Sequence, residues 1–333
     1  MWKRISLMII GVVAVCAFGF RAPNAGAKDS DYPTRPITFY IAFAAGGNTD
    51  IATRALVHAA GKYLGQPFIP INRPGAGGAL AASEVMNAKP DGYTLGTNSA
   101  SSVLLIPHTE ESPYKDLSGF TLVMNYGKYI FPLMVRGDAP WKNWNELIQA
   151  AKQKPGSISV GITGARINSP MGIALWTCEQ KENVEFTYIA LKGSPEVLNY
   201  TLGGHIDVFA SSIDPSVLQY LQDGKLRILG YLSDVKTPGF ENAPTFKELY
   251  GEVPPNLGGV WGPKGIPEDV LKKLDDAFAK AVVDPEFVKI MDSMLMPVVY
   301  MNREEINKLA QEEFPKVGEV MEELKTEQEK EKK

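Results

Sequence analysis

Residues 37–43 form a nearly unbroken run of β-branched and aromatic side chains. From Ile51 the apolar positions recur three and four apart, at Ala52, Ala55, Leu56, Ala59, Ala60, Tyr63 and Leu64. The first pattern predicts a buried strand, the second one face of an amphipathic helix. The alternation continues: a strand over 68–71, a helix over 79–88 and a short strand over 93–97. Three such units in a row imply a parallel, doubly wound sheet. Strands over 122–126 and 130–135 mark a crossing into a second α/β unit. That unit has a helix over 144–152 with Asn143 as its cap, a strand over 158–162, and a helix opened by Ser169-Pro170. A strand over 186–189, a helix over 194–202, a strand over 208–211, a helix over 215–223 and a strand over 226–231 complete it. Residues 260–263 read as a returning strand, followed by helices over 268–283, 285–294 and 303–324. Residues 326–333 are almost all Glu, Lys and Gln and read as a solvated tail.

This order predicts two lobes, one from 28–127 plus 252–333 and one from 128–251. They would be joined by a two-segment hinge with a ligand cleft between them. The N-terminus stands apart from that fold. Lys3 and Arg4 precede an apolar stretch over 7–20 that is too short to span a membrane, and Ala25-Gly26-Ala27 fits a cleavage site. The expectation is a signal peptide over 1–27, cleaved after Ala27, and export to the periplasm. Cleavage would remove Cys16 and leave Cys178 alone, so no internal disulfide is expected. Cys178 follows the apolar run 173–176 and reads as a buried structural thiol.

The 333 residues carry a net charge of −4, which gives no electrostatic footprint for nucleic acid or an anionic membrane. The chain contains no Gly-Lys-Ser/Thr phosphate loop, no GxGxxG, no HExxH, no CxxC and no G-x-S-x-G. His58, His108 and His205 stand near no nucleophile or carboxylate pattern, and His58 reads as packed or half exposed. Trp141, Trp144, Trp176 and Trp261 read as core. No metal, cofactor or catalytic residue is expected.

Two strand–loop–helix junctions are built alike. In the first, Ala44, Ala45, Gly46, Gly47, Asn48, Thr49 and Asp50 join the first strand to the first helix. In the second, Thr163, Gly164, Ala165, Arg166 and Asn168 precede Ser169. Small residues at a helix N-terminus leave backbone N–H groups at the positive end of a helix dipole, where an anion is favoured. The same loop also suits a plain tight βα turn. If both junctions lie at the carboxyl ends of their sheets, two helix N-termini meet at one cleft. Backbone donors, the Thr49 and Thr163 hydroxyls, and Asn48 or Asn168 would then bind one anion. Asn98, Ser99, Ser101 and Ser102 follow the third strand and would line the same mouth. Asp50 and Asp214 would pair as carboxylates, although Asp50 also reads simply as a first-turn helix residue. Arg166 suits either a bidentate carboxylate partner or an exposed loop arginine.

Several motifs occur together in order: Tyr32-Pro33-x-x-Pro36-Ile37, Phe43-x-x-Gly46-Gly47-x-x-Asp50, Gly65-Gln66, Asn72-Arg73-Pro74-Gly75-Ala76-Gly77-Gly78, Pro90-Asp91-Gly92-Tyr93-Thr94-Leu95, Lys192-Gly193 and Leu202-Gly203-Gly204-His205-Ile206-Asp207. With them the chain resembles the extracytoplasmic solute receptors of the tripartite tricarboxylate transporter system, the Bug or TctC family. The resemblance implies a type II periplasmic-binding-protein fold, an α/β architecture of two lobes. It also implies a small carboxylate ligand, a di- or tricarboxylate, held by the loops 44–50 and 161–169 largely through backbone groups and ordered water. The second loop departs from the family's Gly- and Ser-rich run with a following His-Leu. The implied partners are the membrane subunits of the transporter, and the receptor itself is expected to be a monomer. An exported enzyme on the same fold, or a sensory receptor without a transporter, are the competing readings.

Overall fold

The computed structural model describes residues 31–99, 103–109, 112–163, 169–213, 215–251 and 256–331. The expected signal peptide, its cleavage site and Cys16 lie outside the described residues. Strand β1 (Ile37–Ile41) buries Ile37, Phe39 and Ile41 completely and alternates them with half-exposed positions. Helix α1 (Asn48–Leu64) follows and buries Ala52, Leu56, Ala59 and Ala60. It stops at Gly65, whose φ of 78° lets its N–H close onto Gly61 O at 3.0 Å. Next come β2 (Phe68–Asn72), α2 (Ala79–Met86) and β3 (Thr94–Ser99).

β4 (Phe120–Lys128) belongs to the same sheet, whereas β5 (Pro132–Arg136) opens a second one. The second sheet adds β6 (Ser159–Thr163), β7 (Thr187–Leu191), β8 (Val208–Ala210) and β9 (Leu226–Tyr231). The chain then returns to the first sheet with β10 (Leu257–Pro263) and β11 (Val298–Met301).

The strand orders are β11-β4-β10-β3-β1-β2 and β7-β6-β8-β5-β9. In each sheet three strands run parallel, β2-β1-β3 and β7-β6-β8. Beside them lies an antiparallel strand that arrives straight from the other sheet, β10 in the first and β5 in the second. The parallel pairing expected of the first three units is present, and the antiparallel strand beside it makes each sheet mixed. The strand that completes each sheet comes from the far side of a crossing, which local periodicity does not reveal.

The two crossings run side by side. Leu232 N donates to Phe131 O at 2.9 Å, and Tyr129 N donates to Asn256 O at 2.8 Å. Lys128 Nζ and Asp234 Oδ2, one near each crossing, pair at 2.6 Å.

Three further differences from the sequence reading have simple causes. β11 and the helix Phe246–Tyr250 are short elements without a clear period. The latter is fixed by a capping box between Thr245 and Glu248. The last helix, Arg303–Glu331, runs through most of the expected tail. Glu, Lys and Gln are good helix formers, so a polar end extends a helix that its apolar face has already docked.

Candidate functional site

In an open α/β sheet, ligands sit beyond the carboxyl ends of the strands where the strand order reverses. From β1 the chain moves outward to β2, then back across to β3 on the other side. From β6 it moves to β7, then back to β8. The reversals fall at β1/β3 and at β6/β8. The junctions 42–50 and 163–169 begin at those strand ends.

A contact brings the two ends together. Asn48, the first residue of α1, donates from Nδ2 to Ile213 O at 2.5 Å. Ile213 follows β8, and its own N–H bonds to Ile130 O in the first crossing at 3.3 Å. In the second sheet, Thr163 Oγ1 lies 2.6 Å from Ser211 Oγ, which joins the ends of β6 and β8.

The first junction is fixed from within. Asp50 is 4% exposed, and both its oxygens are used. Oδ2 accepts from Gly46 N at 2.9 Å, while Oδ1 accepts from Arg54 Nε and Asn72 Nδ2, each at 2.8 Å. Asn72 Nδ2 also reaches Phe43 O at 2.9 Å, and its Oδ1 accepts from Arg54 Nη2 at 2.7 Å. Gly46 turns the loop with φ 81°, a conformation side chains rarely adopt. Two expectations change as a result. The Gly46 N–H is spent on Asp50, so it is not a donor to a ligand. Asp50 itself holds the loop shut on Arg54 and Asn72.

What remains open is the helix end. Gly47 occupies the N-cap and has no side chain to offer. The first helical bond runs from Ile51 N to Gly47 O at 3.0 Å. No acceptor among the described residues meets the N–H groups of Asn48, Thr49 and Asp50. Three aligned donors at the positive end of a four-to-five-turn helix make a seat for an anion. The Thr49 side chain turns inward, 2.8 Å from Tyr129 Oη.

Ser99 is half-buried at the end of β3, opposite Gly258 of β10. Asn98 is placed by its backbone in β3. Gly164, Ala165, Arg166, Asn168, Asp214, Ser101 and Ser102 lie outside the described residues.

Sequence reasoning missed Arg54, Asn72, Tyr129 and Ser211. Arg54 was accessible to it, standing four residues after Asp50 on one helix face. Asn72 was also accessible, as the polar end of an apolar strand in register with Ile41. Tyr129 and Ser211 carry no such signal, because their partners lie 80 and 48 residues away.

The remaining candidate chemistry is structural. Burial pushes the Cys178 thiol up to about 12, the reverse of an activated nucleophile, and Tyr250 Oη donates to its sulfur at 3.4 Å. Trp144, Trp176 and Trp261 are buried, while Trp141 is partly buried against the core. His58 is exposed rather than packed, and the His108 ring packs tilted against Phe314 with centroids 4.5 Å apart.

Residues 52–326 match the family described as tripartite tricarboxylate transporter family receptor. The chain belongs to that family. A Cupriavidus necator protein, described as UPF0065 protein in gbd 5'region, is 35% identical over 312 residues, 93% of this chain and 94% of that one. A TctC solute binding protein from Polaromonas, solved without ligand, superposes with a TM-score of 0.73. It is 29% identical over 88% of this chain and 99% of its own. Two Rhodopseudomonas palustris structures share the fold at 24% identity. MatC with bound malate has a TM-score of 0.74, covering 87% of this chain and 100% of its own. Rpa4515 with adipate has a TM-score of 0.73, covering 87% and 98%. The fold is thus the two-lobed α/β architecture of periplasmic solute-binding receptors. No helix among the described residues is long and apolar enough to cross a membrane.

Proposed function

We propose that the protein is an exported receptor that captures a small di- or tricarboxylate between its two lobes and hands it, unchanged, to the membrane subunits of a tripartite transporter. The observation that carries this reading is the open N-terminus of α1, joined to the second sheet by the Asn48–Ile213 bond. One carboxylate sits on the N–H groups of Asn48, Thr49 and Asp50, and residues 163–169 are assigned to the same ligand from the second lobe. The lobes are 28–127 plus 252–333 and 128–251, and closure bends the two crossings. The malate- and adipate-bound neighbours support the ligand class, since both ligands carry two carboxylates. The signal peptide is cleaved after Ala27, and the mature receptor acts as a monomer in the periplasm.

Calorimetry and thermal shift with mono-, di- and tricarboxylates test this. A ligand that binds only the folded state raises the melting temperature, by RT ln(1 + [L]/Kd) in free energy. The ligand should be recovered intact after long incubation. Enzyme-dependent conversion, or no response to any carboxylate, would overturn the reading. Arg166 is assigned to the ligand's second carboxylate. Arg166→Ala should weaken a dicarboxylate by about ten- to a hundredfold, the worth of one charge-assisted bond. A matched monocarboxylate should barely change.

A further inference from the structure

Four hydroxyls stand in single file from the first turn of α1 into the first sheet. Thr49 Oγ1 lies 2.8 Å from Tyr129 Oη, which lies 3.3 Å from Tyr126 Oη. Tyr126 Oη lies 3.3 Å from Thr97 Oγ1, and Thr97 Oγ1 lies 2.9 Å from the carbonyl oxygen of Gly259. Tyr129, Tyr126 and Thr97 are 4% exposed or less, so water does not re-sort their bonds, and Thr49, 7% exposed, is the end of the file at the open helix N-terminus.

Each hydroxyl owns one proton, and a carbonyl owns none. The contact with Gly259 therefore has one possible sense, with Thr97 donating. Its proton spent, Thr97 must accept from Tyr126. Tyr126 must then accept from Tyr129, and Tyr129 from Thr49. Four protons serve four contacts in one direction only. Reversing any link leaves two oxygens facing each other without a proton in a buried site.

We infer that Thr49 commits its only proton inward and presents to the cleft nothing but lone pairs. This rests on the proposed reading of the cleft as a carboxylate site, and it sharpens the ligand class. The expectation from sequence made Thr49 a donor to the carboxylate; the ordered chain makes it an acceptor. A bare carboxylate oxygen is repelled there. A hydroxyl carried next to the carboxylate donates to it, while the carboxylate takes the backbone N–H groups of residues 48–50. Tyr129, at the crossing between the lobes, is the positioning residue that sets this polarity, and Tyr126 and Thr97 hold Tyr129 to it. The site therefore prefers a 2-hydroxy acid to the analogue that lacks only the hydroxyl.

Two experiments decide it. Neutron diffraction from crystals of the deuterated, ligand-free protein locates the deuterons directly. Each should point along the file toward Gly259. A Thr49 deuteron turned to the cleft, or a Tyr129 deuteron turned to Thr49, overturns the inference whatever the ligand. Calorimetry then compares malate with succinate, which differ by one hydroxyl. The wild type should favour malate by about tenfold, the worth of one hydrogen bond. Tyr129→Phe releases the Thr49 proton, and Tyr126→Phe frees Tyr129 to donate to Thr49. Either variant should bring the ratio to about twofold or less, with succinate binding kept or improved. A purely structural role for these tyrosines would weaken both ligands together and leave the ratio unchanged, which would also overturn the inference. If neither acid binds any of the proteins, the carboxylate reading fails, while the deuteron positions still stand or fall separately.

Discussion

The two helix N-termini at the cleft are alike in position and opposite in chemistry. α1 begins after Gly47, which offers no side-chain cap. The helix Pro170–Glu182 begins after Ser169, whose Oγ accepts from Gly172 N at 3.1 Å. Its first residue, Pro170, has no N–H to present. At α1 three first-turn donors have no acceptor among the described residues, whereas in the second helix Pro170 has no N–H and Gly172 N is taken by Ser169. The loop before α1 is cross-braced by Asp50, Arg54 and Asn72, so its open donors stay aligned when no ligand is present. The difference teaches that helix dipoles do not contribute equally to such a cleft. On the proposed reading the open end of α1 is the anion seat, whereas the second helix caps its own end through Ser169.

The largest effect expected from breaking this arrangement follows removal of the brace. Asp50→Ala would leave Gly46 N and Asn72 Nδ2 without their buried acceptor and would unpair Arg54. Hydrogen bonds to a charged group are worth about 1.5–3 kcal/mol, and losing a charge partner adds to that, while Asn72 Nδ2 keeps Phe43 O as an acceptor. Arg54 is 44% exposed at its side chain, which limits the second contribution. A loss of about 2–4 kcal/mol is expected in denaturant unfolding, together with loss of ligand binding. A stable variant that still binds would show that the loop holds its shape without Asp50.

How far this site was legible in the sequence follows from the range of its interactions. The strand–loop–helix order, the glycine at the turn and the first-turn carboxylate are local features, and they located the first junction correctly. The motifs in order identified the family over most of the chain. Local reading did not assign Asp50 its partners, because Asn72 reaches it from the end of a neighbouring strand. It also left the Gly46 N–H free for a ligand, where Asp50 takes it. Whether a group has a proton left to give depends on every contact it makes, and those of Thr49 run on through Tyr129, Tyr126 and Thr97. The mixed sheets were hidden for a related reason. β5 and β10 pair with strands far along the chain, so period and composition carry no trace of their direction.

A middle-sized effect is expected at the second helix. Ser169→Ala removes the cap that accepts from Gly172 N. Loss of an N-cap serine costs about 0.5–2 kcal/mol of stability. Because this helix end is self-satisfied rather than ligand-facing, dicarboxylate affinity should change by less than about threefold. A large loss of affinity with intact stability would mean that this N-terminus also seats the ligand, and the asymmetry between the two helices would collapse.

The smallest effect on stability, and the sharpest test of the asymmetry, comes from giving α1 the cap that the other helix already has. Gly47 has φ −81° and ψ 166°, extended backbone that any residue adopts. A Cβ there would meet Ala44 O at 3.6 Å, an ordinary contact. Gly47→Ser therefore fits without strain, and its hydroxyl can accept from the N–H of Thr49 or Asp50. The ligand-free protein should gain a few tenths of a kcal/mol, the usual difference between glycine and serine at an N-cap. The ligand would then have to displace that bond to reach the same donor. At about 1 kcal/mol for one hydrogen bond, affinity for a dicarboxylate should fall by about five- to tenfold while the melting temperature of the free protein rises. Opposite signs for stability and affinity from a single added hydroxyl are the signature of a helix end kept open for an anion. If both rise together, or affinity is untouched, the carboxylate is seated elsewhere and the open N-terminus of α1 is only a tight turn.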